Sequence, residues 1–127
     1  MKQDFILVRD EGNENWAYKL CDKVVKKSED EFTARPLIWI YDVPERSKSM
    51  DPNYEPDPKM QRFGLVGWFM SSPRATEIGG PEVEFKYKNS APEFLNDAVK
   101  IYKDLVKRFK AQGCKRVPRY TINGQII

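Results

Sequence analysis

Apolar residues recur along this chain at two periods, and the changes of period mark its elements. Phe5-Ile6-Leu7-Val8 is a short apolar run that predicts a first strand, closed by turn chemistry at Asp10-Glu11-Gly12-Asn13. From Asn15 to Lys27 the apolar positions Trp16, Ala17, Leu20, Cys21 and Val24 fall at helical spacing, with Lys19, Asp22, Lys23, Lys26 and Lys27 between them. That spacing predicts a helix, capped by Asn13 or Asn15. A strand alternation of Trp16, Tyr18 and Leu20 competes with it. Ser28-Glu29-Asp30-Glu31 breaks the pattern. Phe32 to Val43 then carries five consecutive large apolar residues, Leu37-Ile38-Trp39-Ile40-Tyr41, which predict a strand buried on both faces, with Pro36 at its start or at an irregularity.

Residues 44–60, PERSKSMDPNYEPDPKM, hold four prolines and alternating charges, and predict a long exposed loop. Arg62 to Ser71 predicts another strand, with Gly64 and Gly67 inside it as signals of a bulge or a close backbone approach. Glu82 to Lys88 alternates strictly. Val83, Phe85 and Tyr87 form one face, assigned to the core against a helix, and Glu84, Lys86 and Lys88 form the other.

A long amphipathic helix is predicted over about 91–112. Ser90 and Glu93 stand at capping-box spacing and Pro92 falls in the first turn. Phe94, Ala98, Ile101, Tyr102, Leu105 and Phe109 make its apolar stripe, and Gly113 its stop. Beyond it, Val117-Pro118, Tyr120-Thr121-Ile122 and the Asn123-Gly124 turn predict a terminal strand with a small hairpin. The expected order is β-α-β-loop-β-β-α-β. It implies one α+β domain over residues 1–127, a two-layer arrangement of a mainly antiparallel sheet of four to five strands packed by two helices.

Charge changes the picture at the C-terminal end. Net charge is only +3, but residues 1–99 carry 14 Lys+Arg against 18 Asp+Glu, and residues 100–127 carry 8 against 1. An acidic body with a basic end makes a dipolar molecule whose field steers a polyanion to one face. Lys100, Lys103, Lys107 and Lys110 form a lysine stripe on the helix, continued by Lys115, Arg116 and Arg119. These seven cations are the candidate polyanion-binding residues, for nucleic acid or for a nucleotide. Lysines on the last turns also suit the helix dipole without any partner. A variant places a small anionic nucleotide in a homodimer cleft with Arg74, Arg116 and Arg119 as phosphate partners. Phe85, Tyr87 and Tyr120, beside lysines or arginine, are stacking candidates if exposed.

Catalytic chemistry is sparse. With no histidine, the usual general base and metal ligand are absent, and triads built on histidine are excluded. Two cysteines far apart, Cys21 and Cys114, form neither a disulfide framework nor a zinc site. Cys21 reads as a small core residue on its helix, and Cys114 sits in a basic setting beside Lys110, Lys115 and Arg116. No phosphate-binding GxxxxGK[ST] loop occurs. Glu84-Phe85-Lys86 is an E-x-K on a strand. Its flanking order of helix, three strands, helix and strand resembles the core of the restriction-endonuclease-like nucleases. That resemblance implies a Mg²⁺-dependent nuclease with Glu84 on the metal and Lys86 assisting the attacking water. Asp57 or Asp42 would then serve as the upstream aspartate and Glu14 as the helix carboxylate.

The third expectation is a protein-binding module, a phage- or mobile-element-type inhibitor of a host protein, with Arg46, Tyr54 and Lys59 of the proline-rich loop as contacts. The N-terminus lacks a signal peptide pattern and no stretch approaches membrane-spanning length, so a cytoplasmic protein with reduced thiols is expected. The reading as a whole is a non-enzymatic binding protein with no cofactor and no metal. It engages a polyanion through its basic end.

Overall fold

A computed structural model describes residues 4–10 and 16–119. It is a mainly antiparallel five-stranded sheet with two helices, an α+β arrangement. The strands are β1 (Ile6–Arg9), β2 (Ala17–Lys26), β3 (Glu31–Asp42), β4 (Phe63–Trp68) and β5 (Val83–Lys86); the helices are α1 (Val43–Met50) and α2 (Leu95–Ala111). Their order, β-β-β-α-β-β-α, differs from expectation at the first helix and at the 44–60 loop, and it holds no terminal strand among the described residues.

The segment predicted as the first helix is strand β2. It pairs with β1 on one side and β3 on the other, and Ala17, Tyr18, Leu20 and Cys21 are all buried. Two register shifts lie along the β2–β3 pair. Between Leu20 and Cys21 the partners jump from Ile38 to Pro36, and between Asp22 and Val25 β2 carries one residue more than β3. Lys23 takes φ +51° there, a left-handed conformation that a bulge demands. Only the second shift displaces the alternation of β2 itself. Before it, Tyr18 and Leu20 pack in one cluster while Cys21 packs in another and Ala17 is also buried, so both faces are apolar and the buried positions imitate a helical spacing. The β2–β3 turn forms where the pattern broke. Ser28 Oγ accepts from the Asp30 and Glu31 amides, and the Lys27 and Ser28 amides donate to the Glu31 carbonyl.

The 12-residue β3 is the spine. One edge pairs with β2 along its length. The other edge is shared end to end, with Glu31–Ala34 against β5 and Ile38–Asp42 against β4. Pro36, which has no N–H to give, sits at the junction, and its carbonyl accepts from the Gly80 amide on the β4–β5 connection. Leu37 is the extra residue opposite the Leu20/Cys21 step. It inverts the alternation, so Ile38 and Ile40 face one side of the sheet while Phe32 and Ala34 face the other. β4 has its own bulge at Val66, between the glycines. Gly64 is needed because the Tyr41 ring of the neighbouring strand lies where its Cβ would be.

Two apolar clusters follow from this inversion. The larger lies between the sheet and α2 and includes Leu7, Tyr18, Leu20, Ile38, Ile40, Trp68, Ala98, Leu105 and Phe109. Trp68 meets Phe109 edge to face, with ring centroids 5.1 Å apart. The smaller gathers Val8, Cys21, Phe32 and Ala34 with Phe85 and Tyr87. Phe85 and Tyr87 therefore pack on Phe32, away from α2 rather than against it. The chain leaving β5 closes this cluster. A single turn of 3-10 helix at Tyr87–Asn89 leads to a bridge between Ser90 and Val8, and the Ala91 amide donates to the Leu7 carbonyl. β5 itself ends at Lys86, not Lys88.

Bridging to β1 occupies Ser90, so the expected capping box does not form. Pro92–Phe94 makes a 3-10 turn, and α2 starts at Leu95 with no side-chain cap. Its end is as expected. Gly113 has φ +69°, its amide donates to the Lys110 carbonyl and the Cys114 amide donates to the Phe109 carbonyl, the two bonds of a Schellman stop.

The expected loop at 44–60 begins as α1. Asp42 caps it through the Glu45 amide, Pro44 lies in its first turn, and the buried Asp42 carboxylate also accepts from the Arg62 guanidinium. No residue of α1 is buried, which is why no apolar stripe announced it. Of the expected terminal strand, Val117–Arg119 is not strand, and the remainder lies outside the described residues.

Under α2, Arg35 grips Asp22 with two nitrogens, Nε and Nη2, at 2.8 and 2.7 Å, and its Nη1 reaches Glu77 at 2.8 Å. The hydrogen bonds from Asp22 hold the guanidinium firmly charged, its pKa raised above the ordinary arginine value. Replacing Arg35→Ala strands the Asp22 carboxylate, whose side chain is only 9% exposed, and should cost about 3–5 kcal/mol in denaturant unfolding. The double replacement Asp22→Leu with Arg35→Met should recover most of that loss, because no lone charge is left buried.

Candidate functional site

The basic end is built by three local rules. The apolar stripe of α2 docks on the sheet and turns the opposite face outward, so Lys100, Lys103, Lys107 and Lys110 are all exposed. The Schellman stop at Gly113 then reverses the chain. Val117, 6% exposed, pins it again: its amide donates to the Ala75 carbonyl, and the Pro118 carbonyl accepts from the Trp68 indole at 2.7 Å. Lys115 and Arg116 thus lie on a short span fixed at both ends. The Val117–Ala75 hydrogen bond ties this span to the segment that carries Arg74, and Arg116 lines a hollow with Thr76, Glu77 and Ile78.

Among the described residues, none of Lys100, Lys103, Lys107, Lys110, Lys115, Arg116 or Arg119 forms an ion pair. The body behaves differently. Arg9 pairs with Glu93, Lys19 with Asp10, Lys27 with Glu84, Arg35 with Asp22 and Glu77, and Arg62 with Asp42. The seven cations are not equivalent, however. Lys100 shares a hollow with Asp97 and Asp104, which lie three residues before and four after it on the same helix face. Lys103, Lys107 and Lys110 continue toward Lys115 and Arg116, and Arg108 adds an exposed cation that the stripe had left out. Arg108 and Lys110 occupy the last turn, where the helix dipole favours them.

The E-x-K residues stand apart from their expected partners. Glu84 is bonded to Lys27 at 2.6 Å, which lowers the carboxyl and raises the ammonium; both are fully exposed. Asp42 lies nine residues along β3 from Thr33, the partner of Glu84, which is about 30 Å of strand. Asp57 caps the Lys59 amide, and Glu14 lies outside the described residues. The described residues contain no group of three carboxylate or cysteine side chains able to hold a metal ion. The helix–three strands–helix order behind the nuclease resemblance is also gone, since its first helix is β2.

Of the three loop contacts expected for a host protein, only Lys59 is freely exposed. Arg46 lies over the rings of Trp16 and Tyr41, 5.8 and 5.0 Å from their centroids, and Tyr54 is half-buried. This cluster covers part of the sheet face opposite α2. There the indole N–H groups of Trp16 and Trp39 are buried without an acceptor. The sequence offered its signal in Asp42-Val43-Pro44-Glu45, a cap, a first-turn proline and an N3 acid, which places Arg46 on a helix beside the end of β3.

No family model, no curated protein and no solved structure matches this chain. No helix among the described residues is long and apolar enough to cross a membrane.

The thiols differ sharply. Cys21 is fully buried on β2, and burial pushes its thiol from an ordinary 9.0 up to about 12; Cys114 is exposed just past α2. At mild pH an alkylating reagent should modify Cys114 in the folded protein and Cys21 only after unfolding, read by intact mass. The neutral Cys21 thiol contributes its stability fully below pH 9.0, and that contribution is lost as pH rises toward about 12. The Tyr18 and Tyr102 phenols, both raised by burial, act in the same direction. Thermal stability should therefore fall through this alkaline range, and less steeply in Cys21→Ala.

Proposed function

We propose that this protein binds a polyanionic partner, nucleic acid or nucleotide, through the basic surface running from Lys103 along α2 to Arg119, and that it carries out no reaction of its own. The observation that carries this reading is the gathering of exposed cations without an ion pair, among the described residues, at an end of the chain where residues 100–127 carry 8 Lys+Arg against 1 Asp+Glu. A cation with no internal partner keeps its full charge available to phosphate. Three lysines on one helix face, followed by Lys115, Arg116 and Arg119, make a strip rather than a point, which suits a backbone of repeated phosphates. Lys100, flanked by Asp97 and Asp104, contributes least. An acidic body at the other end orients the approach.

Fluorescence anisotropy of a labelled oligonucleotide, titrated across a range of salt, tests this directly. Binding should weaken linearly in log–log coordinates, with a slope set by about 0.9 per phosphate neutralised on duplex DNA. The double replacement Lys103→Glu with Lys107→Glu should lower the slope by about 2 and the affinity by at least about tenfold. Absence of binding at low salt, or binding that ignores salt, removes the reading.

A further inference from the structure

A hollow of about 270 Å³ opens between the last turns of α2 and the segment leading to Gly79. Its wall is apolar, made by Ile78, Val106 and Phe109. Its polar groups are Tyr102, Lys110 and Arg116. Among the described residues, the ammonium of Lys110 and the guanidinium of Arg116 have no ion pair, and the Tyr102 hydroxyl has no hydrogen-bond partner. The carboxylate on its rim, Glu77, is engaged by Arg35 at 2.8 Å, so the local charge is positive. An apolar wall with a few convergent polar groups is the ordinary form of a small-ligand site, and this one falls just below the usual lower size of about 300 Å³.

We propose that this hollow binds a nucleoside monophosphate unit, either free or as the phosphorylated end of a nucleic-acid strand. The phosphate sits between Lys110 and Arg116, the base lies against Val106 and Phe109, and Tyr102 donates to the sugar or base. A carboxylate or bare phosphate would leave the wall unused, and a neutral aromatic would leave two cations unpaired; a phosphate on a flat, largely apolar body uses both. Lys110 also belongs to the strip, so a strand whose end is held here would leave along Lys107 and Lys103. The inference rests on the polyanion reading for its ligand class but not for its site.

Cys114 lines the same hollow and reports on it, since Cys21 is buried. The alkylation rate of Cys114 in the full chain is measured with adenosine monophosphate, adenosine and inorganic phosphate as separate probes. Adenosine monophosphate should slow the reaction saturably by at least about tenfold, with the other two far weaker, as expected when a charge-assisted contact and an apolar contact are both required. Thr76→Trp, which fills the hollow from an exposed position, and Arg116→Glu should each abolish protection while leaving the melting temperature unchanged.

A 5′-phosphorylated oligonucleotide that protects better than its unphosphorylated twin identifies the strand end as the source. Equal protection by free adenosine monophosphate and the phosphorylated strand identifies the mononucleotide. Lys103→Glu with Lys107→Glu should leave adenosine monophosphate protection intact. Salt-dependent oligonucleotide binding without any protection by adenosine monophosphate overturns this site and leaves the strip standing. Protection without oligonucleotide binding does the reverse. Inorganic phosphate that protects as well as adenosine monophosphate also overturns the proposal.

Discussion

The inversion at Pro36-Leu37 in β3 is the constraint on which the rest of the structure depends. A strand of 12 residues with unbroken alternation would present one apolar face along its whole length. Instead the extra residue at Leu37 sends Ile38 and Ile40 toward α2 and Phe32 and Ala34 to the other side. One strand thereby serves two cores. Pro36, lacking an N–H, falls where the shared edge passes from β5 to β4, so the missing donor breaks no continuous ladder. The same switch decides what each helix can do. α2 covers only the half of the sheet whose face carries Ile38 and Ile40, and its long outer surface remains free for charge.

Closing the smaller core fixes where α2 starts. Val8 and Leu7 take Ser90 and Ala91 as partners, and that places the chain at the edge of the sheet just before it must turn into a helix. The side-chain cap expected of Ser90 is exchanged for backbone bonds to β1. A helix without an N-terminal cap leans on tertiary packing, and α2 has it in Ala98, Leu105 and Phe109, with Phe94 meeting Tyr18 and Phe63 edge to face before its first turn. The other end needs no such support, because Gly113 supplies a full Schellman stop. This asymmetry puts the rigid, well-terminated end of the helix where the unpaired cations are.

Elements dense in large apolar residues were legible in the sequence. β3, β4 and the apolar stripe of α2 could be read because their patterns match their burial. β2 could not, since both of its faces are buried over Ala17–Asp22 and a bulge interrupts it, so a strand pattern reads as a helical one, and only pairing with β1 and β3 resolves the ambiguity. α1 was hidden for the opposite reason. It buries nothing, so periodicity was silent, and only the cap chemistry of Asp42, Pro44 and Glu45 encoded it. The lysine stripe was visible as a charge pattern, but its division was not. That Lys100 is matched by acids while Lys103, Lys107 and Lys110 stand clear follows from helix geometry. That Arg116 is held against the β4–β5 connection depends on a bond between Val117 and Ala75, which are 42 positions apart in the chain.

Function in such a molecule follows from where compensation stops. The ion pairs among the described residues all lie in the body, and the most buried of them, Arg35 with Asp22, ties β2 to β3 beneath α2. Past Lys103 that compensation ends, although Asp104 and Glu77 are close enough to have provided it. Asp104 sits beside Lys100, and Glu77 is taken by Arg35. The basic end is therefore a region where acids are scarce, and the nearby Glu77 is committed to Arg35. A fold that assigns its acids this way leaves an uncompensated positive surface at a rigid helix terminus. Unmatched like charges at such spacing repel one another by several tenths of a kcal/mol per helical pair. A bound phosphate relieves that repulsion, so the same arrangement that costs stability in the free protein favours an anionic partner.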